Sequence, residues 1–249
     1  MFGLDNWVAS LSDGTTLLIV IAVAVVLGLR HATDPDHLAA VTTLVASGKE
    51  RQARRAGVLG LSWGLGHAAS LFAFGLPIVL FKSYLPGTVQ TGAETSVGLL
   101  IMVLAGWLLL RWRRGVFHVH VHEHGGSRHA HVHDHADRAA HAHAAARPVR
   151  TRAGAFGIGL VHGMGGSAGV GVLLLATIHS HSVAVVALAF FALFTAISMA
   201  LLSTGFGLTL AAAPVRRSFA RLAPALGFAS LLFGLWYALG AQGLLPYYF

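Results

Sequence analysis

The sequence contains no cysteine, which excludes disulfides and thiolate metal sites at once. Charge is nearly as scarce, with 10% of residues charged against about 25% in a soluble globular domain. The first Lys or Arg is Arg30, so the basic opening of a cleavable secretory signal is missing. The first apolar run is therefore expected to act as an uncleaved anchor. No G-x4-G-K-[ST] loop is present, which leaves gradients or a partner as the energy source. Two histidines never stand side by side, and "HEHGG" at 122–126 does not supply H-E-x-x-H. These two absences count against a di-iron oxygenase and an intramembrane metalloprotease.

Apolar sequence fills the space that charge leaves. Hydrophobic residues make up 55% of the chain and the mean hydropathy is +0.70. Apolar runs cover Thr15–Leu29, Gly57–Phe81, Ser96–Leu110, Ala153–Ile178, Val183–Ala213 and Leu222–Leu239. Most approach the ~20 residues that a helix needs to cross a bilayer. The expected fold is an all-α integral membrane protein with six transmembrane helices and the lipid bilayer as its surroundings.

The net charge of +8 is distributed unevenly. Lys49, Arg51, Arg54 and Arg55 follow the first run, Arg111, Arg113 and Arg114 close the third, and Arg216, Arg217 and Arg221 separate the last two. Segment 115–152 adds Arg128, Arg138, Arg147, Arg150 and Arg152, while the opposite connections hold Lys82 and "HSHS". Such asymmetry places basic loops in the cytoplasm. Both termini are expected outside, in a multi-pass protein of the cell inner (plasma) membrane. The basic charge is topological, and no nucleic acid is expected as a partner.

Within the apolar sequence stands "GLRHATDPDHLAAV", residues 28–41, with His31, Asp34, Asp36 and His37. A charged side chain at the membrane centre costs roughly 2.5–3.5 kcal/mol on insertion scales. Pro35 cannot donate to the carbonyl of His31, and its ring crowds it. Irregular backbone is tolerated in a bilayer only where it lines a cavity inside the protein. A broken first helix around a bound cation meets both costs. Asp34 could cap the second half-helix, with Pro35 in its first turn, or accept from a histidine ring and orient it. Arg30 could neutralise one aspartate as a structural pair. Imidazole with carboxylate suits Ni, Co or Zn better than Na or K. Further histidines are His67, in "WGLGHAASL", and His162, in "GLVHGMGGSAG".

The chain also repeats weakly. "GLRHATDPDHLAAVTTLVA" from Gly28 aligns with "GLVHGMGGSAGVGVLLLAT" from Gly159, sharing Gly-Leu-x-His. "AFGL" at 73–76 then matches "GFGL" at 205–208, and "AGWLLL" at 105–110 matches "GLWYAL" at 234–239. Three spans per half imply inverted repeats, with a site near the midplane where they meet. The expected organisation is a first three-helix repeat over 1–114, a cytoplasmic loop over 115–152 and a second repeat over 153–249.

That loop carries ten of the sixteen histidines: His118, His120, His122, His124, His129, His131, His133, His135, His141 and His143. Repeated His-x-His with little apolar content reads as a disordered or loosely ordered accessory metal-binding tract. It would collect, buffer or sense metal, with a cytoplasmic metallochaperone as candidate partner.

His31, four residues, then Asp36 and His37 resemble the H-x4-D-H signature of the nickel/cobalt transporter family. "LGHAASL" resembles that family's second, Gly-His motif, and the likeness extends to the short permeases associated with urease. The resemblance implies that His31, Asp36 and His37 bind Ni(II) or Co(II) with His67 contributing. The ion is the transported substrate, and no resident cofactor is expected. In larger importers of the family the second half carries an acidic motif, where this chain reads "HGMGGSAG"; a long histidine-rich segment is more like exporters. The expected function is a Ni(II) and/or Co(II) permease working in uptake, with efflux as the alternative and a membrane metalloenzyme or a haem protein ligated by His67 and His162 behind both. One intramembrane site is expected, built from His31, Asp36, His37 and His67, with His162 approaching from the second repeat.

Overall fold

The first apolar run is helical over Gly14–His31 (α1) and resumes, after a three-residue break, over Pro35–Val45 (α2). The two pieces are bent by 48°. Proline dictates the restart: Pro35 is the first residue of α2, where its missing N–H is harmless. The His31 carbonyl that Pro35 cannot satisfy accepts the backbone N–H of Asp34 at 3.1 Å. This computed structural model describes residues 14–45, 52–82, 86–114, 118–124, 127–133, 151–165 and 168–246.

The other described helices are α3 (Gln52–Phe81), α4 (Gly87–Arg113), α5 (Arg152–His162), α6 (Ala168–Ala176), α7 (His181–Ala211) and α8 (Ala213–Ala241). Four of them, α3, α4, α7 and α8, are long and apolar enough to cross a membrane, and the bent α1–α2 pair passes the same test together, as one broken span or a re-entrant loop. The chain is thus a multi-pass membrane protein. The six expected spans are not all single helices, because 153–178 is divided between α5 and α6, each too short to cross. Glycines explain that division. Gly163 ends α5, its N–H bonded to Gly159 O at 2.8 Å, and further glycines follow at 165 and 166.

Small residues let the helices approach closely, as membrane helices commonly do. Along α3, Gly60 lies against Met199 and Ser203, Gly64 against Ala196 and Gly75 against Leu188, so α3 and α7 run antiparallel. A second face of α3 receives α5. A Cβ on Gly159 would run into the backbone of Trp63 and His67, and one on Gly163 into that of His67. Ser70 Oγ donates across this contact to Leu160 O at 2.7 Å, and Ser198 Oγ on α7 donates to Leu29 O on α1 at 2.7 Å. In the same way α4 packs along α8, with Gly98 against Ala238 and Gly227 against Leu109. At one end of the molecule, His181 Nε2 donates to Leu80 O at 3.1 Å, closing α7 on the end of α3. Exposed Arg54 and Arg55 begin α3 at the other end.

Three apolar clusters form between these helices among the described residues. One holds Ala32, Val41, Trp63, Ala155, Ile158 and Met199. A second holds Ala24, Leu71, Val172, Leu188 and Phe191. The smallest holds Val97, Ile101 and Tyr237.

The histidine tract departs from the loosely ordered, all-α expectation. His118–His124 (β1) pairs antiparallel with Ser127–His133 (β2), in a register that sets His118 opposite His133, His120 opposite His131 and His122 opposite His129. Alternation of His with Val or Ala has the two-residue period of a strand, and Gly125–Gly126 between the runs is a hairpin signal. Of the expected loop ligands, His135, His141 and His143 lie outside the described residues, as do Lys49, Arg51, Arg138, Arg147 and Arg150.

Candidate metal site

Each helix break delivers a histidine at the end of its first half: His31 is the last residue of α1 and His162 the last of α5. The restart at Pro35 brings Asp36 and His37 into the first turn of α2. His67 comes from the middle of α3. These five residues, from three separate parts of the sequence, meet in one place and are buried there. His37, His67 and His162 are 0% exposed, Asp36 3% and His31 4%.

His37 is the centre. Its ring centroid lies 4.5 Å from those of His31 and His162 and 4.9 Å from that of His67. Asp36 ties the two halves of the chain together. His37 Nδ1 donates to Asp36 Oδ1 at 3.1 Å, and His162 Nε2 donates to Asp36 Oδ2 at 3.2 Å. The carboxylate therefore orients two imidazoles as well as offering its own oxygens. Asp34 fills the orienting role: it stands just before α2, and His31 Nδ1 donates to its Oδ2 at 3.1 Å. Arg30, the other candidate partner for an aspartate, has an exposed side chain.

These bonds leave imidazole nitrogens with nothing to bind. His37 Nε2, His162 Nδ1 and His67 Nδ1 are buried without a hydrogen-bond partner. His31 Nε2 and His67 Nε2 face each other at 3.0 Å. Buried polar atoms are ordinarily paired, so a concentration of unpaired lone pairs beside a carboxylate is a place prepared for a cation. Among the described residues, two overlapping groups have ligand atoms close enough to hold a metal ion: His31, His37 and His67, and Asp36, His37 and His162.

Three neighbours of this centre went unnoticed in the sequence. Trp63, fully buried, has its ring 5.6 Å from those of both His37 and His162. Phe191 has its ring 5.8 Å from that of His31. Aromatic residues in an apolar run carry no local signal that separates them from core. Glu94 is different. It is 7% exposed on α4, takes a bond from Gln90 Nε2 at 3.0 Å, and its backbone lies against Gly165 in the second break. An acid next to an apolar run is a readable signal, but a span begun at Ser96 leaves Glu94 outside, whereas α4 starts at Gly87.

Comparison with known proteins gives this geometry its context. The chain is 34% identical over 90 residues to the urease accessory protein UreH of Bacillus sp. (strain TB-90), a match covering 36% of this chain and 39% of that protein. No solved structure matches it. The NicO family model, described as high-affinity nickel-transport protein, matches residues 17–219. That match spans both helix breaks, all four intramembrane histidines and the histidine hairpin, and the chain belongs to this family of transporters.

Proposed function

We propose that this protein is a permease that carries Ni(II), and Co(II) with it, through the buried centre of His31, Asp36, His37, His67 and His162. The observation that carries the reading is the convergence of four neutral-capable imidazoles on one carboxylate, with lone pairs left unpaired inside an apolar protein. Two aspartates among histidines give an electronegative, borderline-soft site, suited to a late divalent metal. His31 Nε2 and His67 Nε2, hydrogen-bonded to each other at 3.0 Å, stand close enough to serve as adjacent ligands of one ion.

The two halves work as inverted repeats over 1–114 and 153–249 that close on the ion from opposite sides. In support, α1 packs on α7 while α5 packs on α3, a reciprocal exchange of partners. The sequence matches at 73–76 and 205–208 fall in α3 and α7, and those at 105–110 and 234–239 in α4 and α8. Both termini lie outside the plasma membrane, and the histidine tract receives or buffers the ion in the cytoplasm. Transport is inward. The similar protein's name ties it to urease, which agrees with a role in supplying metal. Glu94 adds a polar point to the path beside the second break, since an intramembrane acid commonly marks an ion pathway.

Flux into proteoliposomes of known orientation tests the reading. Ni(II) should accumulate on the cytoplasmic side, and His37→Ala should stop it. Absence of Ni(II) and Co(II) flux in either direction sinks the permease; flux only outward replaces uptake with efflux.

A further inference from the structure

The two ligand groups at the centre share His37 and differ in everything else. One adds His31 and His67 to it, the other Asp36 and His162. We propose that the centre is two ion stations in series, joined by the opposite nitrogens of His37. This rests on the permease reading and deepens it. The first station uses His31 Nε2, His67 Nε2 and His37 Nε2. The second uses the Asp36 carboxylate, His162 Nε2 and His37 Nδ1.

Distances within the bonded pairs support the division. The pairs within the first station include one at 3.0 Å, and those within the second stand at 3.1 and 3.2 Å, all close to the separation of adjacent ligands on one ion. Nδ1 of His37 is engaged with Asp36 while its Nε2 has no partner, so each nitrogen serves one station. The apolar surroundings divide in the same way. Phe191 adjoins His31 of the first station and belongs to one apolar cluster; Trp63 adjoins His162 of the second, as well as the shared His37, and belongs to another.

The order along the membrane follows from the α3–α7 register. Gly75 faces Leu188, Gly64 faces Ala196, and Gly60 faces Met199 and Ser203, so Phe191 lies on the Gly75 side of His67. Trp63 lies one turn, about 6 Å, on the Gly60 side. The two buried aromatic rings therefore bracket the centre, Phe191 toward the His181 end and Trp63 toward the Arg54 end.

Hand-over requires no net proton exchange. With the ion in the first station, His37 holds its proton on Nδ1 and His162 holds one on Nε2, both on Asp36. With the ion in the second, the two protons sit on His37 Nε2 and His162 Nδ1. The ion breaks its bonds to His31 and His67 and forms bonds to Asp36 and His162, while His37 exchanges one nitrogen for the other. Because His37 serves both, one ion is held at a time.

The test uses the full-length chain with serine at its ten hairpin and loop histidines, so that Co(II) reports the membrane centre alone. Equilibrium dialysis gives stoichiometry and visible absorption reports the ligand set. This background should bind one Co(II). His67→Ala and His162→Ala should each still bind one, with two different spectra, an oxygen-containing set in the former and an all-nitrogen set in the latter, while each loses at least nine-tenths of its flux. His37→Ala should lose binding altogether. If either variant fails to insert, His67→Gln or His162→Gln is measured in its place. Loss of binding in His67→Ala or His162→Ala as complete as in His37→Ala, or one spectrum common to both, overturns the two stations in favour of a single five-ligand site. No Co(II) or Ni(II) bound by the background overturns the permease reading itself.

Discussion

At the first helix break a proline stops one helix and starts the next, and two aspartates stand on either side of it. At the second, glycines end the helix and no acid follows. Both leave a histidine on the last residue of a half-helix, His31 in one and His162 in the other. The first break carries its own orienting acid, since Asp34 accepts a hydrogen bond from the His31 ring. The second has none, and its histidine is oriented across the protein by Asp36 of the first. The comparison teaches that chemistry and packing are divided unequally. The acidic break supplies charge and most of the candidate ligands; the glycine-rich one supplies close approach, with the Gly159 and Gly163 backbones lying directly on α3.

If the division is right, substitutions at the two breaks should fail in different ways. The largest effect is expected at the shared centre. His37→Ala and Asp36→Ala should abolish metal flux in proteoliposomes while the protein still inserts and purifies as wild type; retained flux in either would detach the acidic break from transport. Next comes Gly159→Val. Its side chain would meet the backbone of Trp63 and His67, which cannot move aside as a flexible side chain does. The cost should be about 1–3 kcal/mol, read as a lower thermal unfolding temperature in detergent together with reduced flux. An unchanged unfolding temperature would mean that α5 does not depend on this contact.

Asp34→Asn should be milder. It keeps the shape and removes the charge that orients His31, a change that commonly lowers metal affinity about 10–100-fold. Binding of Co(II) to the chain lacking loop histidines measures it, and an unchanged affinity would leave Asp34 as a plain turn residue. The smallest effect is expected at Glu94, which touches the second break but no ligand. Glu94→Gln should reduce flux several-fold, in keeping with the role of intramembrane acids along ion paths, and leave metal affinity at the histidines unchanged. A fall in affinity equal to that of Asp34→Asn would erase the distinction between path and site.

Sequence by itself determined the membrane class, the existence of the first break and which histidines and aspartates the candidate site would be built from. Those features are legible because hydrocarbon imposes strict rules: charge and proline inside an apolar run must have a reason, so His31, Asp34, Pro35, Asp36 and His37 identify themselves locally. His67 and His162 were legible as the remaining histidines of apolar sequence. The tract 118–133 has the composition of a loosely ordered segment, but its His-x-His alternation has a strand period, and the paired strands follow the period. Only the tertiary structure decided that Asp36 joins His37 to His162, that His37 stands at the centre, that Trp63 and Phe191 flank it, and that Glu94 is buried beside the second break. Each of these depends on which helix faces which, and that is set by glycine contacts between α3, α5 and α7. In a chain where almost every helix face is apolar, periodicity does not tell one face from another, so packing chooses the neighbours.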